Sequence, residues 1–351
     1  MTAKPVAREP LRIAEREILP GSRVRFEIDI GRRATGTQVA IPVEVIHGRR
    51  PGPCLFVCAA IHGDEINGVE IVRRLLMRPG MANLRGTLIA VPIVNVFGFV
   101  GLSRYLPDRR DLNRSFPGTK AGSLASRLAH SFLLEIAENS THGIDLHTGT
   151  AHRSNLPQVR ASLDNPETER LARAFRAPVI IDADIRDGSL RHALVERNIP
   201  IVVYEAGEAL RFDEQSIRAG VRGVVSVMRE LNMIAPTTRA VAVPEPIVAR
   251  STHWVRAEEG GILRTRARLG TSVAYGERLG VIADPLGTRE IPVLASYAGV
   301  VIGRTELPLV HAGDALFHLA TFEDLSRVTV SVEQFQRLEP IRDSEFRDRA
   351  D

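Results

Sequence analysis

The chain has 351 residues, 44% hydrophobic and 25% charged, the composition of an ordered globular protein long enough for one large domain and a smaller one. A formal net charge of +4, with no basic cluster interleaved with aromatics, argues against a nucleic-acid partner. No apolar run reaches the ~18 residues of a membrane span, and the N-terminal MTAKPVAREPLRIAE lacks the apolar core of a secretory signal, so a cytoplasmic protein is expected.

Two further facts of composition narrow the chemistry. Cys54 and Cys58 lie in the apolar run CLFVCAA; in a strand they share a face but sit too far apart to bridge, and they read as small buried hydrophobes. Lys4 and Lys120 are the only lysines, which leaves Schiff-base chemistry and lysine-attached cofactors almost nowhere to sit.

In chain order, residues 22–46 alternate in polarity around a glycine-containing break (RVRFEIDI, QVAIPVEVI) and predict a hairpin. CLFVCAA reads as a strand buried on both faces, INGVEIVRRLLM as a helix stopped by Pro79-Gly80, and GTLIAVPIVN as a second buried strand. The alternation continues with a helix in LASRLAHSFLLEIAE, a strand in GIDLHTG, a helix in PETERLARAFR, a strand in APVIID, a helix in SLRHALVERN, a strand in IPIVVYEAG and a helix over 212–231. This order predicts an α/β fold with a mostly parallel mixed sheet flanked by helices, over residues 1–232. Residues 233–246, with three prolines, read as a linker. Short strands with frequent glycines over 247–325 predict a smaller all-β domain, and the charged residues 326–351 a solvated tail.

In open α/β sheets, ligands gather beyond the carboxyl ends of strands. His62 and Glu65 follow CLFVCAA in AAIHGDE, His147 ends GIDLHTG, and Glu205 ends IPIVVYEAG. Two neutral imidazoles and one carboxylate suit a single Zn²⁺ per chain with a position left for water, and Glu205 is placed to take the proton of that water. Asp145, two residues before His147, leaves the strand on the same face; it orients the ligand imidazole or simply ends the strand. The remaining histidines read as surface or packing residues, with His152 the nearest to the site in sequence.

Between the second buried strand and the next helix runs SRYLPDRRDLNRSFPG. Asn113 and Arg114 make a clamp for a substrate carboxylate. Arg104 suits polarisation of the scissile carbonyl, with Arg109 and Arg110 as competitors for that role.

HGDE before a helix, DLNRSFPG, DLHTG and YEAGE together resemble the succinylglutamate desuccinylase/aspartoacylase family, within the zinc carboxypeptidase superfamily, over roughly residues 20–232. The resemblance implies a zinc carboxypeptidase-like fold and cleavage of an amide beside a carboxylate-bearing group. It implies His62, Glu65 and His147 as zinc ligands, Glu205 as general acid/base, Asn113 and Arg114 as carboxylate binders and Arg104 as the carbonyl-polarising arginine. The C-terminal β region is similar to a biotinyl/lipoyl-like barrel, but no lysine follows Lys120 to carry either group; capping of the site or assembly of a homo-oligomer are the roles left to it.

The function expected is that of a zinc amidohydrolase removing a short acyl group from an N-acylated amino acid or related small amine. The alternatives are a zinc carboxypeptidase acting on peptides, which uses the same constellation, and a non-catalytic metal or ligand-binding protein, for which a base such as Glu205 has no use. A serine-hydrolase elbow, a phosphate loop and a dinucleotide fingerprint are all missing from the sequence.

Overall fold

A computed structural model describes residues 8–236 and 245–337. After a small hairpin, Leu11–Ile13 with Arg16–Ile18, the expected long hairpin forms from β1 (Ser22–Arg32) and β2 (Gln38–His47). Alternate residues of β1, Phe26, Ile28 and Ile30, are buried, the pattern of an antiparallel strand with one wet face.

The α/β alternation follows: β3 (Arg50–Ala59), α1 (Asn67–Met77), β4 (Arg85–Val91), α2 (Leu124–Phe132), β5 (His142–Gly149), β6 (Arg153–Ala161), α3 (Pro166–Phe175), β7 (Val179–Asp182), α4 (Leu190–Val195), β8 (Ile201–Glu208) and α5 (Glu214–Glu230). The C-terminal part adds β9 (Ser251–Arg256), β10 (Gly299–Thr305), β11 (Ala315–Thr321) and α6 (Leu325–Gln336). Among the described residues these strands form one mixed sheet whose main path runs β1-β2-β4-β3-β5-β8-β6-β10-β11-β9, with β7 beside β6.

The parallel pairs β4–β3, β3–β5 and β5–β8 make the centre of the sheet, and its antiparallel members lie outside them. Central strands are buried on both faces because helices cover both. Leu55, Val57 and Ala59 of β3 pack with residues of α1, α3 and α5, whereas Phe56 and Cys58 pack with residues of α2 and α4. Cys54 and Cys58 are unbridged.

Three features differ from the sequence expectation. First, β6 is a full strand over residues read as connection. Pro157, Gln158 and Arg160 interrupt its apolar pattern, and a proline inside a run argues against a central strand; here the flanking residues still pair on both sides, with β8 on one edge and with β7 and β10 on the other. Second, the C-terminal strands are not wholly separate: β9, β10 and β11 extend the main sheet through the β10–β6 pairing. A second sheet, ordered Glu290–Leu294, Arg278–Ala283, Gly261–Thr265, Leu309–Val310, packs on them around its own core. Third, residues placed in a solvated tail form α6, which buries Val328, Val332 and Phe335; their i, i+4, i+7 spacing is helical but is masked by the charged sequence beyond it. Residues 237–244 of the expected linker and 338–351 of the tail lie outside the described residues. No helix among the described residues is long and apolar enough to cross a membrane.

The contact of α1 with the sheet sets the entry to the site. A Cβ added at Gly68 would come within 2.7 Å of the Ala59 Cβ and 2.8 Å of the Leu146 Cβ. Overpacking of this kind costs ~1–3 kcal/mol, against a helix-propensity gain of about 1 kcal/mol at most. Gly68→Ala is expected to lower the urea midpoint with an unchanged m-value; an unchanged or raised midpoint would show that α1 moves away freely.

Candidate metal and active site

The site is assembled at the carboxyl ends of β3, β5 and β8. After β3 the chain turns at Ala60, whose φ is +52°, and a tight turn closed by the Glu65 amide donating to the His62 carbonyl (3.1 Å) leads into α1. Gly63 lies against the backbone of the segment that follows β4: a Cβ there would fall 2.0 Å from the Gly98 carbonyl carbon, so the turn admits only glycine. In β5, Asp145 and His147 leave on the face that carries Cys58 of β3, whose Cα partner is Asp145. Glu205 of β8 is the Cα partner of His147, so paired positions on adjacent strands send both side chains to the same face.

Glu65 reaches both imidazoles. Its Oε1 lies 2.7 Å from His62 Nδ1 and its Oε2 2.8 Å from His147 Nδ1, and the two Nδ1 atoms are 3.2 Å apart. The Thr148 amide donates to Glu65 Oε2 (3.1 Å), and His147 Nε2 is 2.8 Å from Asp145 Oδ2. All four residues, His62, Glu65, Asp145 and His147, are buried.

Two imidazole nitrogens facing each other across one carboxylate form a donor set for a cation. With Nε2–H donating to Asp145, the tautomer of His147 that fits presents the Nδ1 lone pair to the centre. The ligand atoms of His62, Glu65 and His147 all lie within 4.8 Å of one another, which fits a metal ion.

The electrostatics follow from this crowding. Burial opposes ionisation of Glu65, but the His62 and His147 imidazoles outweigh it and hold its carboxyl well below the usual range. Burial likewise opposes protonation of His147, which Asp145 and Glu65 overcome, raising it well above the ordinary histidine value. A buried group of such carboxylates and imidazoles holds its charges only through one another or through a metal.

The loop before α2 supplies a surround. Arg104 donates to Glu65 Oε1 (3.2 Å) and to Asp111 Oδ2 (3.0 Å), and Asp111 Oδ1 stands 3.3 Å from His62 Nε2 without hydrogen-bonding geometry. Arg104 is thus brought to the site, whereas Arg109 and Arg110 are exposed, Arg110 beside Asp108. Asn113 caps α4 through its Oδ1, which accepts from the Leu190 amide (2.9 Å), and Arg114 is exposed with its guanidinium on the Asn113 carbonyl. His152 is exposed in the β5–β6 turn with a φ of +63°.

Four neighbours escaped the sequence reading: Asn155, Gln158 and Arg160 on β6, and Arg191 on α4. Asn155 Nδ2 donates to Glu205 Oε2 (3.0 Å), and Arg160 Nε lies 3.0 Å from Glu205 Oε1. Gln158 is fully buried with neither amide atom hydrogen-bonded, and Arg191 Nη1 is buried and unpaired among the described residues. The three on β6 were hidden with the strand itself; Arg191 was in plain view in SLRHALVERN, the second residue of the helix that begins at Leu190, the contact of Asn113.

Comparison with known proteins matches residues 51–231 to the succinylglutamate desuccinylase/aspartoacylase catalytic domain. The chain is 28% identical over 294 residues to the N-alpha-acetyl-L-2,4-diaminobutyric acid deacetylase of Halomonas elongata, covering 80% of this chain and 86% of that one. It shares its fold with the product-bound ectoine utilization protein EutE (DoeB) of Ruegeria pomeroyi, with a TM-score of 0.77, 23% identity and coverage of 91% and 98% of the two chains. A succinylglutamate desuccinylase/aspartoacylase of Rhodobacter sphaeroides is equally similar, with a TM-score of 0.77, 23% identity and coverage of 90% and 97%. With the motifs, the buried donor set and more than half of the chain in agreement, this protein belongs to the succinylglutamate desuccinylase/aspartoacylase family.

Proposed function

We propose that the protein is a zinc-dependent amidohydrolase that removes a short acyl group from an N-acylated amino acid or a related small amine. The observation that carries this reading is the convergence of His62, Glu65 and His147, with Glu205 in register beside His147. Membership of a family of deacylases supports it, and the Halomonas elongata relative bears the name of a deacetylase of an N-acetylated diamino acid.

Two imidazoles and a carboxylate, with one position left open, are the ligand set of catalytic zinc. A zinc ion held there supplies Lewis acidity and brings the pKa of water toward neutrality. Glu205 takes the proton of the attacking water and returns it to the departing amine nitrogen. Arg104, its guanidinium already directed at Glu65 by Asp111, stabilises the negative charge that develops on the carbonyl oxygen. Asn113 and Arg114 hold the substrate carboxylate. Residues 1–232 form the hydrolase unit in this reading, followed by the linker 233–246 and a β domain over 247–325 of biotinyl/lipoyl-like kind, in a cytoplasmic protein.

Dialysis against a chelator is expected to abolish hydrolysis of N-acetyl and N-succinyl amino acids, and one equivalent of Zn²⁺ per chain to restore it. Glu205→Gln is expected to lower kcat by roughly 10²–10⁴-fold, the usual contribution of a general acid/base, with metal content unchanged by atomic absorption. Activity that survives both treatments would refute the reading. Asp145→Asn removes the partner that fixes the His147 tautomer, and metal affinity is expected to drop by ~10–100-fold in a competition titration; unchanged affinity would show that Asp145 merely ends the strand.

A further inference from the structure

Among the described residues, the C-terminal strands meet β6 beside its pairing with Glu205 of β8. The edge of β6 turned away from β8 is divided. Residues Gln158–Ala161 pair with Val179–Asp182 of β7, and Arg153–Asn155 pair with Gly303–Thr305 of β10. Asn155 is therefore the residue at which β6 passes from the α/β sheet to the C-terminal strands, and Gly303 is its direct partner.

We propose that the C-terminal strands position the general base: β10, backed by β11, fixes Asn155 of β6, and Asn155 and Arg160 hold the two carboxylate oxygens of Glu205. The proposal rests on the reading of Glu205 as the base. Its geometry is direct. Glu205 Oε2 accepts from Asn155 Nδ2 at 3.0 Å, and Oε1 lies 3.0 Å from Arg160 Nε.

Gly303 is what lets Asn155 take this position. A Cβ on Gly303 would stand 2.9 Å from Asn155 Oδ1 and 3.2 Å from the His318 Cβ. The amide oxygen thus occupies the space left by the missing side chain, while the amide nitrogen faces Glu205. β10 is also irregular here, with a register shift against β11 between Val301 and Gly303, so the bulge sets which β10 residue meets Asn155.

β11 backs this contact, because His318 is the Cα partner of Gly303. His318, buried, stacks on Trp254 of β9 with ring centroids 4.3 Å apart and planes 3° from parallel, and the Arg153 guanidinium lies 5.2 Å from the Trp254 ring centre. Burial pushes His318 down to about 3, helped by the charges of Arg160, His253 and Arg153. Arg160 meets the other oxygen directly, through its ion pair with Glu205. Asn155 and Arg160 act through Glu205 and are positioning residues. A base displaced by about 1 Å loses on the order of 10²-fold in rate, so a hold on both oxygens matters to turnover rather than to binding.

The test uses the full-length, metal-loaded enzyme with an N-acyl amino acid at saturating and at low concentration. Gly303→Ala and Arg160→Met are each expected to lower kcat by ~10–100-fold with KM within about twofold, and Arg160→Lys to recover at least part of the loss. In a Glu205→Gln background the same substitutions are expected to cost less than about twofold further, because their effect passes through the carboxylate. Should Gly303→Ala fail to fold, Asn155→Ala, which cuts the link from β10 to Glu205, takes its place: a kcat loss of the same size is expected, and an unchanged kcat overturns the proposal. A Gly303→Ala or Arg160→Met enzyme with unchanged kcat overturns the proposal, as does a loss that adds in full to that of Glu205→Gln or that raises KM alone. The base reading fails on a different result, a Glu205→Gln enzyme that retains its turnover.

Discussion

One carboxylate in the interior, that of Glu65, spans two imidazoles at 2.7 and 2.8 Å, and the surrounding architecture is what makes that arrangement tolerable. A lone ion buried in such a place would cost many kcal/mol and would neutralise instead. Glu65 stays ionised because His62, His147 and the Thr148 amide all face it. Each of those contacts comes from a different structural device: a glycine-tight turn after β3, a position in β5 and the next amide along the same strand. Losing one would leave the others as an uncompensated charge, so the turn at Gly63, the seating of α1 on Gly68 and the placement of Asp145 are coupled requirements.

The parallel sheet turns this requirement into a catalytic geometry. Its strands stand ~4.8 Å apart with side chains alternating between faces, so the register of β8 on β5 decides that Glu205, and not Tyr204, shares the face of His147. A slip of one residue would send Glu205 into the opposite core, where Tyr204 now packs beneath α5 and stacks on Phe175. That core is therefore functional at one remove: the burial of Val202, Tyr204 and Ala206 locks the register that points Glu205 at the site.

The parts of this picture legible in the sequence are those with strong local signals. Buried runs such as CLFVCAA and the helical spacing of INGVEIVRRLLM announce a strand and a helix, and HGDE between them marks a strand end. His62, Glu65, His147 and Arg104 could be grouped from such signals, and the structure places them within reach of one another. β6 was not legible because its decisive interactions are non-local. Pro157, Gln158 and Arg160 contradict strand propensity, and only the pairings to β8, β7 and β10 override it. Asn155, Gln158 and Arg160 vanished from view with it, although Gln158 is a Cα partner of Glu205 and the other two meet its carboxylate. Phe335 is a similar case: its partners, including Arg222 on α5 at 5.9 Å, are more than a hundred residues away.

The charge around the site has one further consequence, which follows from the near absence of lysine. Arg104, Arg160 and Arg191 bring planar guanidinium forks to this region, where lysine would offer only a point charge. Two of the three have carboxylate partners: Arg104 has Glu65 and Asp111, and Arg160 has Glu205. Arg191 feels both Arg160 and Glu205 at longer range, yet its Nη1 is buried without a hydrogen bond. An unpaired buried guanidinium nitrogen is costly to maintain. In the amidohydrolase reading proposed above, an anionic group of the substrate beside Arg191 relieves that cost, so the buried guanidinium favours carboxylate-bearing substrates.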